Sequence, residues 1–270
     1  KLRIDPAPPY RDNRRHGGLL LRSSALTTGV SDPARRARSQ LRYEIASGAT
    51  GLALALFMFG HMTFEASILF GTVAYDEVAM LLEEFWIAQP TVIGVIVLFL
   101  VHAVMASRKI PAQLAERKQM IALAKRLRES GATGGEAFRP HVESMLWIWQ
   151  VRTGMIILVL GSFHLVLVAM DVFTPLYGEI RGIEAAVSME RVRAGLWVLY
   201  AGLVLAVTFH LAVGLYRLFV KWGADRWLSR RTLYRLEQVI FWGVLVVGAV
   251  TIAVLAGVIE PPFAFLLEGS

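Results

Sequence analysis

The sequence contains no cysteine. Disulfides, thiolate-bound zinc, iron–sulfur clusters held by this chain and covalently attached c-type haem are thereby excluded. Histidine is scarce, with six in 270 residues. What is abundant is apolar: 56% of the residues, with a mean hydropathy of +0.54. One soluble core of this size saturates well before that level. A soluble helical bundle would also carry a charged stripe along every helix, and the long apolar segments carry none. The net charge of +7 raises nucleic acid as a partner. The basic residues instead cluster between apolar segments, where they mark cytoplasmic loops and contact with anionic lipid. The partner read here is the bilayer, with no nucleic acid.

A membrane span needs about 20 mostly apolar residues. Five segments qualify: Ala49–Phe70, Thr91–Ser107 (with a start as early as Phe85), Leu146–Met170, Ala194–Val220 and Gln238–Ile259. None alternates every second residue, as a β-barrel strand would. The expected fold is an all-α membrane protein of five transmembrane helices. Residues 1–46 read as an extended cytosolic arm, with Pro6, Pro8, Pro9, Pro33 and the run Arg35, Arg36, Arg38; tail and docking arm both stay open for it. Residues 47–260 form the membrane domain and 261–270 a short outer tail.

Loop charge sets direction. The loop after the first span has Asp76, Glu77, Glu83 and Glu84 and no Lys or Arg, whereas the next holds Arg108, Lys109, Arg117, Lys118, Lys125, Arg126, Arg128 and Arg139. The loop after the third span is mixed, and the one after the fourth has Arg217, Lys221, Arg226, Arg230, Arg231 and Arg235. The positive-inside rule then puts the N-terminus in the cytoplasm and the C-terminus outside. Residues 111–129 read as a helix continuing into the cytosol, either a solvated surface or a platform for a cytosolic subunit.

Each of the first four spans holds one histidine: His61, His102, His164 and His210. An ionisable side chain in hydrocarbon is costly and marks function. A single one can hydrogen-bond a neighbouring helix; one on each of four helices is poorly explained that way. Depth sorts them. At 1.5 Å per residue, His102 lies about 9 Å and His210 about 10 Å from the cytoplasmic ends of their spans, while His61 lies about 14 Å and His164 about 9 Å from the outer ends. His102 therefore pairs with His210, and His61 with His164. Two histidines on facing helices can fill both axial positions of a haem iron, which favours electron transfer over oxygen activation. A zinc transporter is the rival, but it would gather its ligands at one depth. Gly60, Gly161 and Gly214 adjoin these histidines and would give a porphyrin room, or simply tighten helix packing. His16 and His141 are read as non-ligands. Glu65 lies one turn after His61, a quinone or proton candidate if it does not merely reach the outer interface.

Four stretches carry a family resemblance: Thr50–Gly71 (TGLALALFMFGHMTFEASILFG), His102–Pro111 (HAVMASRKIP), Gly161–Leu165 (GSFHL) and His210–Gly223 (HLAVGLYRLFVKWG). Over residues 47–225 the chain resembles the dihaem cytochrome b anchor of quinol:fumarate reductases and succinate:quinone reductases, of the single-polypeptide type. The fifth span matches in kind only. The resemblance implies two haem b groups, with His102 and His210 on the proximal one and His61 and His164 on the distal one. It implies propionate contacts from Lys221 and Trp147, although a lysine at that end also simply obeys the inside rule. It implies menaquinone as substrate near the distal haem, with an outer acidic residue taking protons; Glu83 and Glu84 match that position approximately. It further implies an iron–sulfur subunit and an FAD flavoprotein interconverting fumarate and succinate on the cytoplasmic side of a bacterial inner membrane, with a dimer of heterotrimers as an arrangement open to it. One departure concerns protons. Thr208 stands where some relatives carry a glutamate, and a threonine cannot relay protons as a carboxylate does. A dihaem cytochrome b of a hydrogenase or formate dehydrogenase is the alternative reading.

Overall fold

A computed structural model describes residues 33–130, 142–173 and 183–267. No strand occurs among the described residues. The described residues form eight α-helices: α1 (Pro33–Ala66), α2 (Thr72–Glu84), α3 (Ala88–Ser107), α4 (Ile110–Glu129), α5 (Val142–Phe173), α6 (Ala185–Arg191), α7 (Trp197–Lys221) and α8 (Arg230–Leu255). Five helical stretches are long and apolar enough to cross a membrane: Ala37–Phe70, Ala88–Glu129, Met145–Phe173, Ala185–Lys221 and Arg230–Leu255. Their apolar side chains point largely outwards; Val159 and Val239 are 69% and 68% exposed. In water such a surface would aggregate, whereas against lipid tails it is the ordinary exterior.

Several boundaries differ from the sequence reading. Residues 33–46 are helical rather than extended, because Pro33 occupies a helix-starting position and the following Arg, Ala, Gln and Leu are good helix formers. The rest of the arm, including His16, lies outside the described residues, as does His141. The second span begins at Ala88, after a tight turn in which Trp86 takes φ 53. The fifth begins earlier than expected, at Arg230, where the Ser229 side chain accepts from Thr232 N at 3.1 Å. Residues 110–129 do continue as a helix, α4, with no buried side chain.

α7 packs on α5 and α8, and α3 packs on α1. Both ends of the bundle have structure beyond the spans. At one end α4 projects. At the other, α2 and α6 lie over a buried cluster of Ile68, Leu69, Tyr75, Ala185, Val192, Val254 and Leu255. Two glycines shape that second end. Gly71, at φ 112, breaks the chain between α1 and α2; Gly195, at φ 104, sits in a wide π-type turn, Val192–Leu196, between α6 and α7. Both angles are strained for any residue with a Cβ. The tail is not free here, since Phe263 N donates to Leu69 O at 2.9 Å and Phe263 packs on Phe70.

Candidate functional site

The structure gathers the four histidines into two pairs. The ring centres of His102 (α3) and His210 (α7) are 6.4 Å apart, near the α4 end. Those of His61 (α1) and His164 (α5) are 6.1 Å apart, near the α2 end. The first pair is nearly perpendicular, at 89°, and the second tilted by 41°.

Each ring of the first pair rests on a Thr-Gly step of a neighbouring helix. Thr50 Oγ1 donates to Ala46 O at 2.7 Å and lies 3.1 Å from His102 Nδ1. The Ser47 backbone bonds the same ring. Thr153 repeats this on α5: its Oγ1 donates to Trp149 O at 2.8 Å and lies 3.4 Å from His210 Nδ1, which is 3.0 Å from Gln150 O. A hydroxyl whose proton is committed to its own helix accepts from the ring. This assigns the proton to Nδ1 of both histidines and leaves Nε2 bare. Glycine follows each threonine because the ring lies against the backbone. A Cβ on Gly51 would stand 3.0 Å from His102 Cε1, and one on Gly154 would stand 2.9 Å from His210 Cε1.

Sequence reasoning passed over these four residues, although a signal was present. Thr-Gly recurs with a histidine ten residues after the glycine, as Thr50, Gly51, His61 and as Thr153, Gly154, His164. Each of α1 and α5 thus supports one pair and supplies a ligand-type side chain to the other. Ten residues separate the two levels by about 15 Å. Of the glycines singled out from sequence, Gly60 faces open space, Gly161 lies against Phe99 and Gly214 against Gln150.

The second pair is held differently. His61 stacks on Phe57 at 5.6 Å, and its Nδ1 lies 3.9 Å from Glu65 Oε1. His164 meets the edge of Tyr200, and its buried Nδ1 has no hydrogen-bond partner. From Glu65 a polar chain runs outwards. Tyr75 OH donates to Glu65 Oε2 at 3.3 Å and lies 3.1 Å from Ser188 Oγ. Arg191 Nη2 donates to Ser188 Oγ at 3.0 Å, and Arg191 Nη1 donates to Asp171 Oδ2 at 2.8 Å. Burial, and then the Glu65 charge, push the Tyr75 phenol above its ordinary range.

The other residues singled out from sequence divide between the two ends. Glu83 Oε1 accepts from Ile183 N at 3.4 Å near the α2 end, and Glu84 is exposed there. Lys221 pairs with Glu44 at the α4 end, and Glu44 also meets Lys109 at 3.4 Å. Trp147 Nε1 donates to Gln113 Oε1 of α4 at 2.9 Å. Thr208 is buried with its hydroxyl unpartnered. An apolar cleft of about 430 Å³ lies between α3 and α5, lined by Ile96, Phe99, Leu100, Leu165, Val166 and Met170 among others.

Spacing tests what the pairs can hold. Metal–imidazole bonds of about 2.0–2.1 Å, with roughly 1.1 Å more from nitrogen to ring centre, put two axial rings about 6.3 Å apart. Both pairs match. Among the described residues no three His, Cys, Asp or Glu converge as a metal cage would require. Each pair offers two imidazoles that could hold one metal ion between them.

A bundle of five apolar spans enclosing paired histidines at two levels defines a multi-pass helical membrane protein. The model of the succinate dehydrogenase/fumarate reductase transmembrane subunit family matches residues 136–251. The chain is 31% identical over 238 residues to the fumarate reductase cytochrome b subunit of Wolinella succinogenes, covering 83% of this chain and 85% of that protein. It is 30% identical over 231 residues to the protein of the same name from Helicobacter pylori strain J99, covering 83% of each. The chain belongs to this family of fumarate reductase and succinate dehydrogenase membrane subunits.

Proposed function

We propose that this protein is the quinone-reactive, dihaem cytochrome b anchor of a fumarate reductase complex. The observation that carries the reading is the pair of ring spacings, 6.1 and 6.4 Å, each matching an iron held between two imidazoles. His102 and His210 would hold one haem b, and His61 and His164 the other. Haem, when bound, takes up and gives back one electron at a time. The chain's part is to fix four rings, by Thr-Gly steps at one level and by packing at the other, and to keep water out. Preorganised ligands and a dry shell are the levers a protein has over such a group.

The α4 end is the cytoplasmic one in this reading, since the basic loops lie there. It would receive the iron–sulfur subunit and, beyond it, the FAD flavoprotein acting on fumarate and succinate. Lys221 and Trp147, both at that end, would meet haem propionates by exchanging their present partners Glu44 and Gln113. Menaquinone reacts at the α2 end, where the apolar cleft suits an isoprenoid tail and carboxylates take the protons. Of Glu65, Glu83 and Glu84, Glu65 alone stands against one of the paired histidines. The membrane is a bacterial inner membrane, as the source genera of the relatives suggest.

Purification of the whole complex tests the reading. Two b-type haems per chain, reducible by a menaquinol analogue and reoxidised by fumarate, are expected. One haem or none per chain refutes the dihaem assignment, and a complex without an FAD partner refutes the anchor role.

A further inference from the structure

The Glu65 carboxylate needs a role that span packing does not supply. It lies 3.9 Å from His61 Nδ1, one turn along the same helix. Tyr75 OH donates to its other oxygen at 3.3 Å, and Tyr75 is among the most deeply buried of the described side chains. Tyr75 in turn meets Ser188 at 3.1 Å, and Arg191 joins Ser188 at 3.0 Å to Asp171 at 2.8 Å. The chain of contacts therefore ties α1, α2, α5 and α6 to one carboxylate oxygen. Within it the Arg191 and Asp171 charges are paired with each other, so the Glu65 charge is the one left facing the His61–His164 level. Nothing comparable touches His102 and His210, whose Nδ1 atoms bond to neutral hydroxyl and backbone groups.

We propose that the Glu65 carboxylate, standing beside His61, lowers the reduction potential of the group held by His61 and His164 through its negative charge, and that the Tyr75 O–H, by donating to it, shares part of that charge. At 3.9 Å the carboxylate stands beyond hydrogen-bond reach of His61 Nδ1, so it acts through its charge. It places negative charge beside a centre that gains an electron on reduction. That favours the oxidised form. The inference rests on the dihaem reading, so its test must report haem content separately from potential.

The test is a redox titration of the α bands in the purified complex, with the outer haem assigned as the band that His164→Ala removes. In wild type, two haems per chain are required; any other count sinks the dihaem reading itself and leaves no outer potential to tune. In Glu65→Gln the outer haem becomes easier to reduce by at least tenfold in its equilibrium, which for a one-electron couple is about 59 mV. The inner haem stays where it was. Tyr75→Phe leaves the charge in place and removes the O–H that shares it, so the outer potential moves the opposite way. If Glu65→Gln fails to retain haem, the Tyr75→Phe shift decides alone, a downward shift supporting the role. Two retained haems with an unmoved outer potential, shifts of the same sign in both variants, or an equal shift of both haems overturn it.

Discussion

The two histidine pairs share four helices but are held in contrasting ways. His102 and His210 are set by backbone: each ring lies on a glycine and bonds to a threonine one residue earlier. His61 and His164 are set by side chains, Phe57 and Glu65 beside the one and Tyr200 against the other, and Tyr75 of α2 ties Glu65 to Ser188 of α6. The first arrangement needs nothing outside the spanning helices. The second depends on segments beyond them, so it couples the site to the surface of the membrane. A single bundle thus contains one pair set within the spanning helices and one pair tied to segments beyond them, which fits the proposed exchange of electrons at one end and protons at the other.

Substitution can break this contrast in order of expected effect. His210→Ala should abolish the haem of its own level and spare the other, seen as loss of one of two reduced α bands; loss of the His61–His164 haem instead would refute the pairing. Asp171→Asn leaves Arg191 inside the α2 end without its counter-charge. The pair is part-buried and Ser188 still accepts from Arg191, so thermal unfolding in detergent should show a loss below the ~3–5 kcal/mol of a fully buried pair. Gly154→Ala crowds His210 and should cost about 1–3 kcal/mol, with haem loss confined to that level. Gly243→Ala, where nothing lies within 4 Å of the added carbon, should be neutral or stabilise by up to about 1 kcal/mol. Thr153→Val removes one oriented bond, worth about 0.5–1.5 kcal/mol, and should loosen haem retention at His210 by about tenfold while leaving His61 unaffected.

The smallest effect is a pH dependence. The Tyr75 phenol is raised in the folded protein, so its contribution to stability is complete below the ordinary tyrosine range of about 10 and is lost as pH rises beyond it. Tyr75→Phe should flatten alkaline unfolding above that point, on top of a pH-independent loss of about 0.5–1.5 kcal/mol for its hydrogen bonds; an unchanged alkaline slope would show that the Tyr75 phenol does not contribute.

Much of this was legible in the residues. Span count follows from apolar run length, and one histidine per span at two depths is a matter of counting. The Thr-Gly steps were visible but unread, because Thr and Gly inside an apolar helix look like ordinary packing residues until a ring is found on top of them. Position 33 as a helix start was obscured by the arginine run, which reads as solvated chain but is also good helix sequence. The Tyr75–Ser188–Arg191–Asp171 chain could not be read at all. It joins Tyr75 to a residue 113 positions away, and only the folding of α2 and α6 over the end of the bundle brings them together. The same holds for Phe263 and Leu69.

The wide turn at Val192–Leu196 has a consequence best put in genetic terms. It accommodates irregular backbone between α6 and α7, with Gly195 at φ 104. Deleting one codon there would turn everything before it by about 100° relative to α7. Arg191 and Ser188 would then leave Tyr75, while His210 kept its place. A lesion of a single triplet, ten or more residues from any paired histidine, would part α6 from Tyr75 beside one pair and leave the reading frame and the other pair intact.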